Sequence, residues 1–255
     1  MALVEQVRAQ RWYHTLELPG GVLTPGEYDL RSVSAALPWP DLSGLRCLDV
    51  GSRDGFYAFE MERRGAAEVV SLDLDDPDGI HFPGPRPPRE GVQAELDAGN
   101  AAFALARDAL GSAVQRRHES VYALEPGGIG RFDFAVIGTL LLHLRDPVGA
   151  IAAVRGVADR LLVNDAVRLS AADLRGIPMA RLAPDPAQPF WWLFNVAGLE
   201  RAVTAGGFAI EARASRPFYV PWGPGRQLSL RGPLRQLPAR ALMKRGALHH
   251  WVLAR

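Results

Sequence analysis

The chain of 255 residues holds a single cysteine, Cys47, so an internal disulfide is excluded. That fits a reducing compartment. Lying inside an apolar run, Cys47 reads as a small buried side chain rather than a nucleophile. No segment approaches the about 18 consecutive apolar residues that a membrane-spanning helix requires. The first residues, MALVEQVRAQRWYHT, carry charges throughout and lack the apolar core of a secretory leader. A soluble, cytoplasmic protein with no membrane partner is the expectation. Low-complexity tracts are also absent: the 26 glycines and 20 prolines are scattered, which predicts many turns but no long linker.

Acidic residues are missing from one region. From Ala212 to the end there are nine basic residues (Arg213, Arg216, Arg226, Arg231, Arg235, Arg240, Lys244, Arg245 and Arg255) and no Asp or Glu. The rest of the chain therefore holds 20 of the 29 basic residues against all 28 acidic ones. The basic end either greets an anionic substrate or RNA, or is solvated charge balancing an acidic body.

The clearest feature present is the apolar run Leu45-Arg-Cys-Leu-Asp-Val50, ending in Gly51-Ser-Arg-Asp-Gly55. A helical pattern over residues 56–64 follows, with Gly65 placed to end it. Residues 68–73 then form a second buried-type strand ending on Asp73. Strand, turn, helix and strand in so short a span make a βαβ unit. The alternation continues with a helix over 92–110, strands over 114–121 and 132–138, and a helix begun by Asp146 as N-cap and Pro147. A strand over 160–167, a helix capped by Asn195 and stopped at Gly206-Gly207, and strands over 208–212 and 247–254 complete it. The pattern predicts an α/β fold: a doubly wound, mostly parallel seven-stranded sheet with an antiparallel edge strand. Residues 1–40 form an N-terminal cap element, and residues 41–255 the main domain with an insert at about 168–190. Both additions belong at the mouth of the sheet, where such folds bind ligands.

The glycine turn discriminates between cofactors. A dinucleotide site needs G-x-G-x-x-G so that backbone can approach a pyrophosphate. Here the spacing is Gly51-x-x-x-Gly55, and the dense cradle is missing. S-adenosylmethionine has no phosphate and needs only a tight turn with free backbone groups. Asp73 lies 22 residues past Gly51, where a carboxylate can accept both ribose hydroxyls. The alternative is an ordinary βα turn with a surface Asp.

The segments GLRCLDVGSRDGFYAFEMERRGAAEVVSLDLD, SVYAL, FDFAVIGTLLLHLRDPVGAI and WWLFNVAGLERAVTAGGF resemble the successive motifs of class I S-adenosylmethionine-dependent methyltransferases. They are similar in particular to the branch related to the bacterial enzyme that carboxymethylates uridine at the tRNA wobble position. RWYHTLELPGGVLTPGEYDLR resembles that branch's N-terminal element, and together the matches span most of residues 11–208. The resemblance implies that Gly51, Ser52 and Gly55 frame the methionine moiety and Asp73 the ribose. It implies that Ser120, Val121 and Tyr122 border the adenine, and that Leu140 to His143 line the floor near the reactive methyl. Two departures stand out. Leu142 occupies the place of a tyrosine that helps hold the carboxylate of carboxy-S-adenosylmethionine, which favours the plain cofactor. Ser120 stands where an acid often meets the adenine amine, with Glu119 one place early.

For methyl transfer to a hydroxyl, a base helps. His143, after the fourth strand, is the first candidate; its other reading is a turn-stabilising side chain beside Asp146-Pro147. His14, in Trp12-Tyr13-His14, is either a base or part of a packed aromatic cluster. Trp12, Trp191 and Trp192 are candidates for an aromatic wall around the acceptor, and the last two also suit an anchor for the following helix. Asp165, ending the fifth strand, is a base candidate or half of a metal site. No second carboxylate at a fitting spacing follows it, so no metal is expected. His249 and His250 are adjacent on a strand and point to opposite faces, which excludes a ligand pair. The leading reading is a methyltransferase acting at an oxygen of a small molecule. An RNA-base methyltransferase is the alternative, and a non-catalytic binding or scaffold module the reading from another class.

Overall fold

The computed structural model describes residues 2–183, 189–226 and 246–255. Its helices are α1 (Leu3–Ala9), α2 (Arg31–Ala36), α3 (Phe56–Arg63), α4 (Arg89–Leu110), α5 (Pro126–Ile129), α6 (Pro147–Val157) and α7 (Val196–Ala205). The strands are β1 (Glu17–Leu18), β2 (Val22–Leu23), β3 (Arg46–Val50), β4 (Glu68–Asp73), β5 (Gln115–His118), β6 (Phe132–Gly138) and β7 (Ala158–Ala166). They continue with β8 (Ala180–Leu182), β9 (Trp192–Phe194), β10 (Ile210–Arg213), β11 (Phe218–Val220) and β12 (Ala247–Ala254).

The main sheet has the order β10-β12-β7-β6-β3-β4-β5, with β11 also pairing with β12. β3 to β7 pair in parallel, while β12 runs antiparallel to β7 on one side and to β10 and β11 on the other. The doubly wound sheet and the antiparallel pairing at this edge agree with the sequence pattern. The eighth strand, β11, is new: it lies in the long connection before β12, where its three residues are too short to show a period. β5 is shorter than expected because the Ser120 side chain accepts from Tyr122 N and turns the chain.

Strands covered on both faces read as continuous apolar runs. Here successive residues alternate between two clusters. Leu48, Ala135, Ile137, Leu161, Val163 and Val252 face the helices α6 and α7. Cys47, Phe134, Val136, Leu162 and Leu253 face α3, α4 and the N-terminal element, which contributes Val7, Trp12, Leu16, Leu18, Leu30, Val33 and Leu37. The N-terminal element is thus packed into the core of one sheet face.

The caps behave as the sequence predicts. Asp146 accepts from Gly149 N at 2.8 Å, and Asn195 accepts from Gly198 N at 2.7 Å. Asn195 also accepts from Met179 N and donates to Ile177 O, so the same side chain pins the insert against α7. In the insert, β8 and β9 form a small antiparallel hairpin. Of the basic C-terminal residues, Arg231, Arg235, Arg240, Lys244 and Arg245 lie outside the described residues. Among the described residues, no helix is long and apolar enough to cross a membrane.

Candidate cofactor and acceptor site

The site grows from the end of β3. Asp49, buried inside the strand, accepts from Ser52 Oγ at 2.6 Å and from Ala58 N at 3.0 Å. One carboxylate therefore fastens both the glycine turn and the first turn of α3. Burial, partly offset by these hydrogen bonds, pushes Asp49 up to about 6. Gly51 and Ser52 both donate to Leu72 O at the end of β4. Gly51 and Gly55 have φ of 74° and 91°, and Arg53 between them has φ 50°. A Cβ on Gly55 would lie 2.5 Å from Phe59 and 2.7 Å from Phe103, whose rings stack. Gly55→Ala is expected to cost about 3 kcal/mol through left-handed strain and overpacking. A lowered urea midpoint at constant slope would register it.

Asp54 immediately precedes Gly55. It is buried and accepts from Tyr13 N at 2.7 Å, from His14 N at 2.8 Å and pairs with His14 Nδ1. Burial opposes its ionisation, but the pairing with His14 and the hydrogen bonds outweigh that, and its pKa lies below the ordinary value. The N-terminal element is thereby tied to the glycine turn itself.

Asp73 completes the turn. Its Oδ2 accepts from Arg53 N at 2.6 Å and its Oδ1 from Leu74 N at 2.8 Å. Arg116 Nη2 also pairs with Oδ2 at 3.4 Å, so the open acceptor direction lies on Oδ1. Arg116 Nη1 donates to Arg53 O at 2.8 Å and to Ser71 Oγ at 3.0 Å, bracing the turn from β5. Leu140 packs on Gly51, where an added Cβ would lie 2.9 Å from its Cδ1. The structure therefore joins Gly51, Ser52, Gly55, Asp73 and Leu140 around one turn. Ser120 and Val121 lie one strand away, with Val121 buried and Ser120 half-buried.

In the loop after β6, His143 Nδ1 bonds Pro189 O at 2.8 Å, and its ring tilts against Phe190 at 5.1 Å. This contact reaches the insert rather than the turn at Asp146-Pro147. Donation to a carbonyl places the proton on Nδ1 and leaves Nε2 as the acceptor nitrogen. Burial pushes the ring down to about 4, so it is neutral at pH 7. Trp191 Nε1 donates to His81 O at 2.9 Å, and Trp192 Nε1 to Arg145 O at 3.0 Å. Both indoles anchor the insert to neighbouring loops through their N–H groups.

One sequence expectation needs correction. Trp12 is buried in the core with Nε1 donating to Val7 O at 2.9 Å, so it is no free wall for an acceptor. Asp165 is buried and accepts from Leu141 N at 2.8 Å and Ala166 N at 2.7 Å. Burial raises it to about 7, and each of its oxygens accepts one backbone N–H, Oδ2 fastening the loop after β6. His14 is packed against Phe56 and Tyr13 and is also half of a carboxylate–imidazole pair. His249 bonds Thr139 and His250 bonds Glu200, on separate elements as the alternation requires. Among the described residues no cluster of His, Cys, Asp or Glu can hold a metal ion. Sequence reasoning missed Asp49 and Asp54. The available signals were an acid inside an apolar strand and an acid beside a turn glycine.

No family model matches the chain, and no curated protein matches it. Solved structures do. A crystal structure of 1,6-didemethyltoxoflavin-N1-methyltransferase from Burkholderia thailandensis, with 1,6-didemethyltoxoflavin and S-adenosylhomocysteine bound, superposes with a TM-score of 0.55 at 19% identity. It covers 89% of this chain and 77% of that one. The N-terminal domain of EvdMO1, crystallised in the presence of S-adenosylhomocysteine and D-fucose, gives 0.55 at 14% identity over 99% of this chain and 95% of that one. An S-adenosylmethionine-dependent methyltransferase from Mesorhizobium loti gives 0.53 at 16% identity, covering 89% and 97%. The chain has the Rossmann-like α/β fold of these S-adenosylmethionine-dependent methyltransferases.

Proposed function

We propose that the chain is an S-adenosylmethionine-dependent methyltransferase acting at an oxygen of a small molecule. The observation that carries this reading is the turn at Gly51–Gly55 with Asp73 beside it. The turn is held by Leu72 O and Asp49, its glycines are too sparse for a pyrophosphate, and Asp73 keeps acceptor capacity for a ribose hydroxyl. These residues fit the group: Gly51, Ser52 and Gly55 for the amino-acid portion, Asp73 for the ribose, Ser120 and Val121 for the adenine, and Leu140 for the floor. Leu142, in place of a tyrosine, favours the uncarboxylated form. When bound, S-adenosylmethionine supplies a methyl group on a positively charged sulfur.

The chain's own task is to place and align the acceptor, because proximity and orientation supply much of the rate in such displacements. The residues lining the acceptor side would hold the acceptor's lone pair toward the bound cofactor and receive its proton, directly or through water. His143 Nε2 and the faces of Trp191 and Trp192 line the acceptor side. His14, fixed by Asp54, is the second candidate base. A cytoplasmic location accords with the lone buried thiol.

Small-molecule methylation is supported by the two ligand-bound neighbours, whose acceptors or additives are small. The motif resemblance to the tRNA wobble-uridine branch and the basic C-terminal end support the second reading, an RNA acceptor. The two are separated by S-adenosylhomocysteine formation with a panel of phenols, catechols and deoxysugars, against retention of unmodified tRNA on a filter. Salt-dependent tRNA retention without turnover on the panel would favour RNA.

A further inference from the structure

Thr139 stands immediately after β6 with φ 54°, a left-handed conformation that a β-branched residue rarely adopts. Such an outlier persists where the surroundings fix it. Its N–H donates to Asn164 O at 3.0 Å, and its Oγ1 lies 3.0 Å from His249 Nε2. His249 is buried on β12, opposite Ala166 of β7. Its Nδ1 lies 3.0 Å from Ala247 O, a group that can only accept. Nδ1 therefore carries the ring proton. Burial keeps the ring neutral, holding it at about 4. With Nε2 bare, the hydrogen between Thr139 and His249 can come only from the threonine hydroxyl.

The consequence is directional. Thr139 Oγ1 has spent its one hydrogen and has only lone pairs left to offer. The residue is half-buried at the carboxyl edge of β6, one residue before Leu140, whose side chain packs on Gly51. On the methyltransferase reading, this is the rim on which the acceptor meets the methyl group.

We propose that Thr139, oriented by His249, is a specificity-determining hydrogen-bond acceptor for the methyl acceptor. The substrate is then protic: a hydroxyl or amine that donates to Thr139 Oγ1 while its lone pair stays free. Ethers, thioethers and tertiary amines lack that hydrogen and are disfavoured. This inference rests on the methyltransferase reading above.

Glycine at 139 relieves the backbone strain while removing the hydroxyl, and serine keeps the hydroxyl, so the pair distinguishes a lost contact from a lost fold. In Thr139→Gly the relieved strain offsets part of the cost of leaving His249 Nε2 unpartnered, so the urea midpoint is expected to fall modestly, and S-adenosylhomocysteine affinity to stay within about twofold of wild type. Turnover of the best hydroxyl acceptor from the panel is expected to drop at least about tenfold in kcat/KM, with Thr139→Ser retaining most of it. Imidazole nitrogen NMR of the full chain tests the arrangement whether or not the panel holds the acceptor. The expected signature for His249 at pH 7 is a protonated Nδ1 and a bare Nε2 whose shift changes in Thr139→Gly. A protonated Nε2, or full turnover by Thr139→Gly, would overturn the proposal. Absence of S-adenosylhomocysteine binding in the wild type would instead strike the methyltransferase reading, leaving the imidazole result to stand separately.

Discussion

Replacing Asp54 by alanine is expected to lower the unfolding free energy by about 3–5 kcal/mol, the cost of breaking a buried pair by removing one partner. The carboxylate serves Tyr13 N, His14 N and the His14 ring at once. Alanine leaves two backbone donors and a ring nitrogen without partners in a site closed to water, and each carries its own desolvation penalty. Asp54→Asn keeps the shape and one acceptor oxygen, so an intermediate loss is expected. Urea unfolding at pH 7 reads both. If Asp54 were an ordinary turn residue, either change would stay within about 0.5 kcal/mol. The pH dependence has a definite sign. Because the folded pKa lies below the ordinary 3.8, the stabilisation is present above that value and is lost as pH falls through the folded pKa. Asp54→Ala should flatten that acid limb.

Asp73→Ala is expected to weaken S-adenosylhomocysteine binding by about 10- to 100-fold, since hydrogen bonds to a charged acceptor are worth about 1.5–3 kcal/mol each. The variant also frees Arg53 N and Leu74 N, which the carboxylate accepts from in the wild type. Asp73→Asn retains one acceptor oxygen but loses the charge that pairs with Arg116, so an intermediate loss of stability beside a clear loss of affinity is the expected pair of results. Calorimetric titration beside urea unfolding measures them. A surface aspartate of a plain βα turn would leave affinity unchanged.

What could be read from the sequence was local. The run Leu45–Val50 followed by Gly51 and Gly55 needs only neighbours in the chain to be recognised, and so do the caps Asp146 and Asn195. Asp73 was legible because its distance past the turn is set by one helix and one strand. The pairings that build the rest of the site join distant residues: Asp54 and His14 are 40 apart, and Thr139 and His249 are 110 apart. No periodicity encodes such contacts. Trp12 misled for a related reason. An indole beside Tyr13 and His14 looks like part of a binding wall, yet Val7 O satisfies its N–H and lets it enter the core. Asp165 gives no sign in the sequence of the Leu141 N–H it holds, 24 residues away. The short β11 escaped because three residues between prolines and aromatics carry no alternation of their own.

The central claim is that the turn at Gly51–Gly55 with Asp73 holds S-adenosylmethionine. Its most direct test is calorimetric titration of the full chain, folded by the criterion of a cooperative thermal transition, with S-adenosylhomocysteine and separately with NADH. The account predicts saturable one-to-one binding of S-adenosylhomocysteine, weakened in Asp73→Ala, and no binding of NADH. Folded protein that gives no heat with millimolar S-adenosylhomocysteine, or that binds NADH in its place, would contradict it.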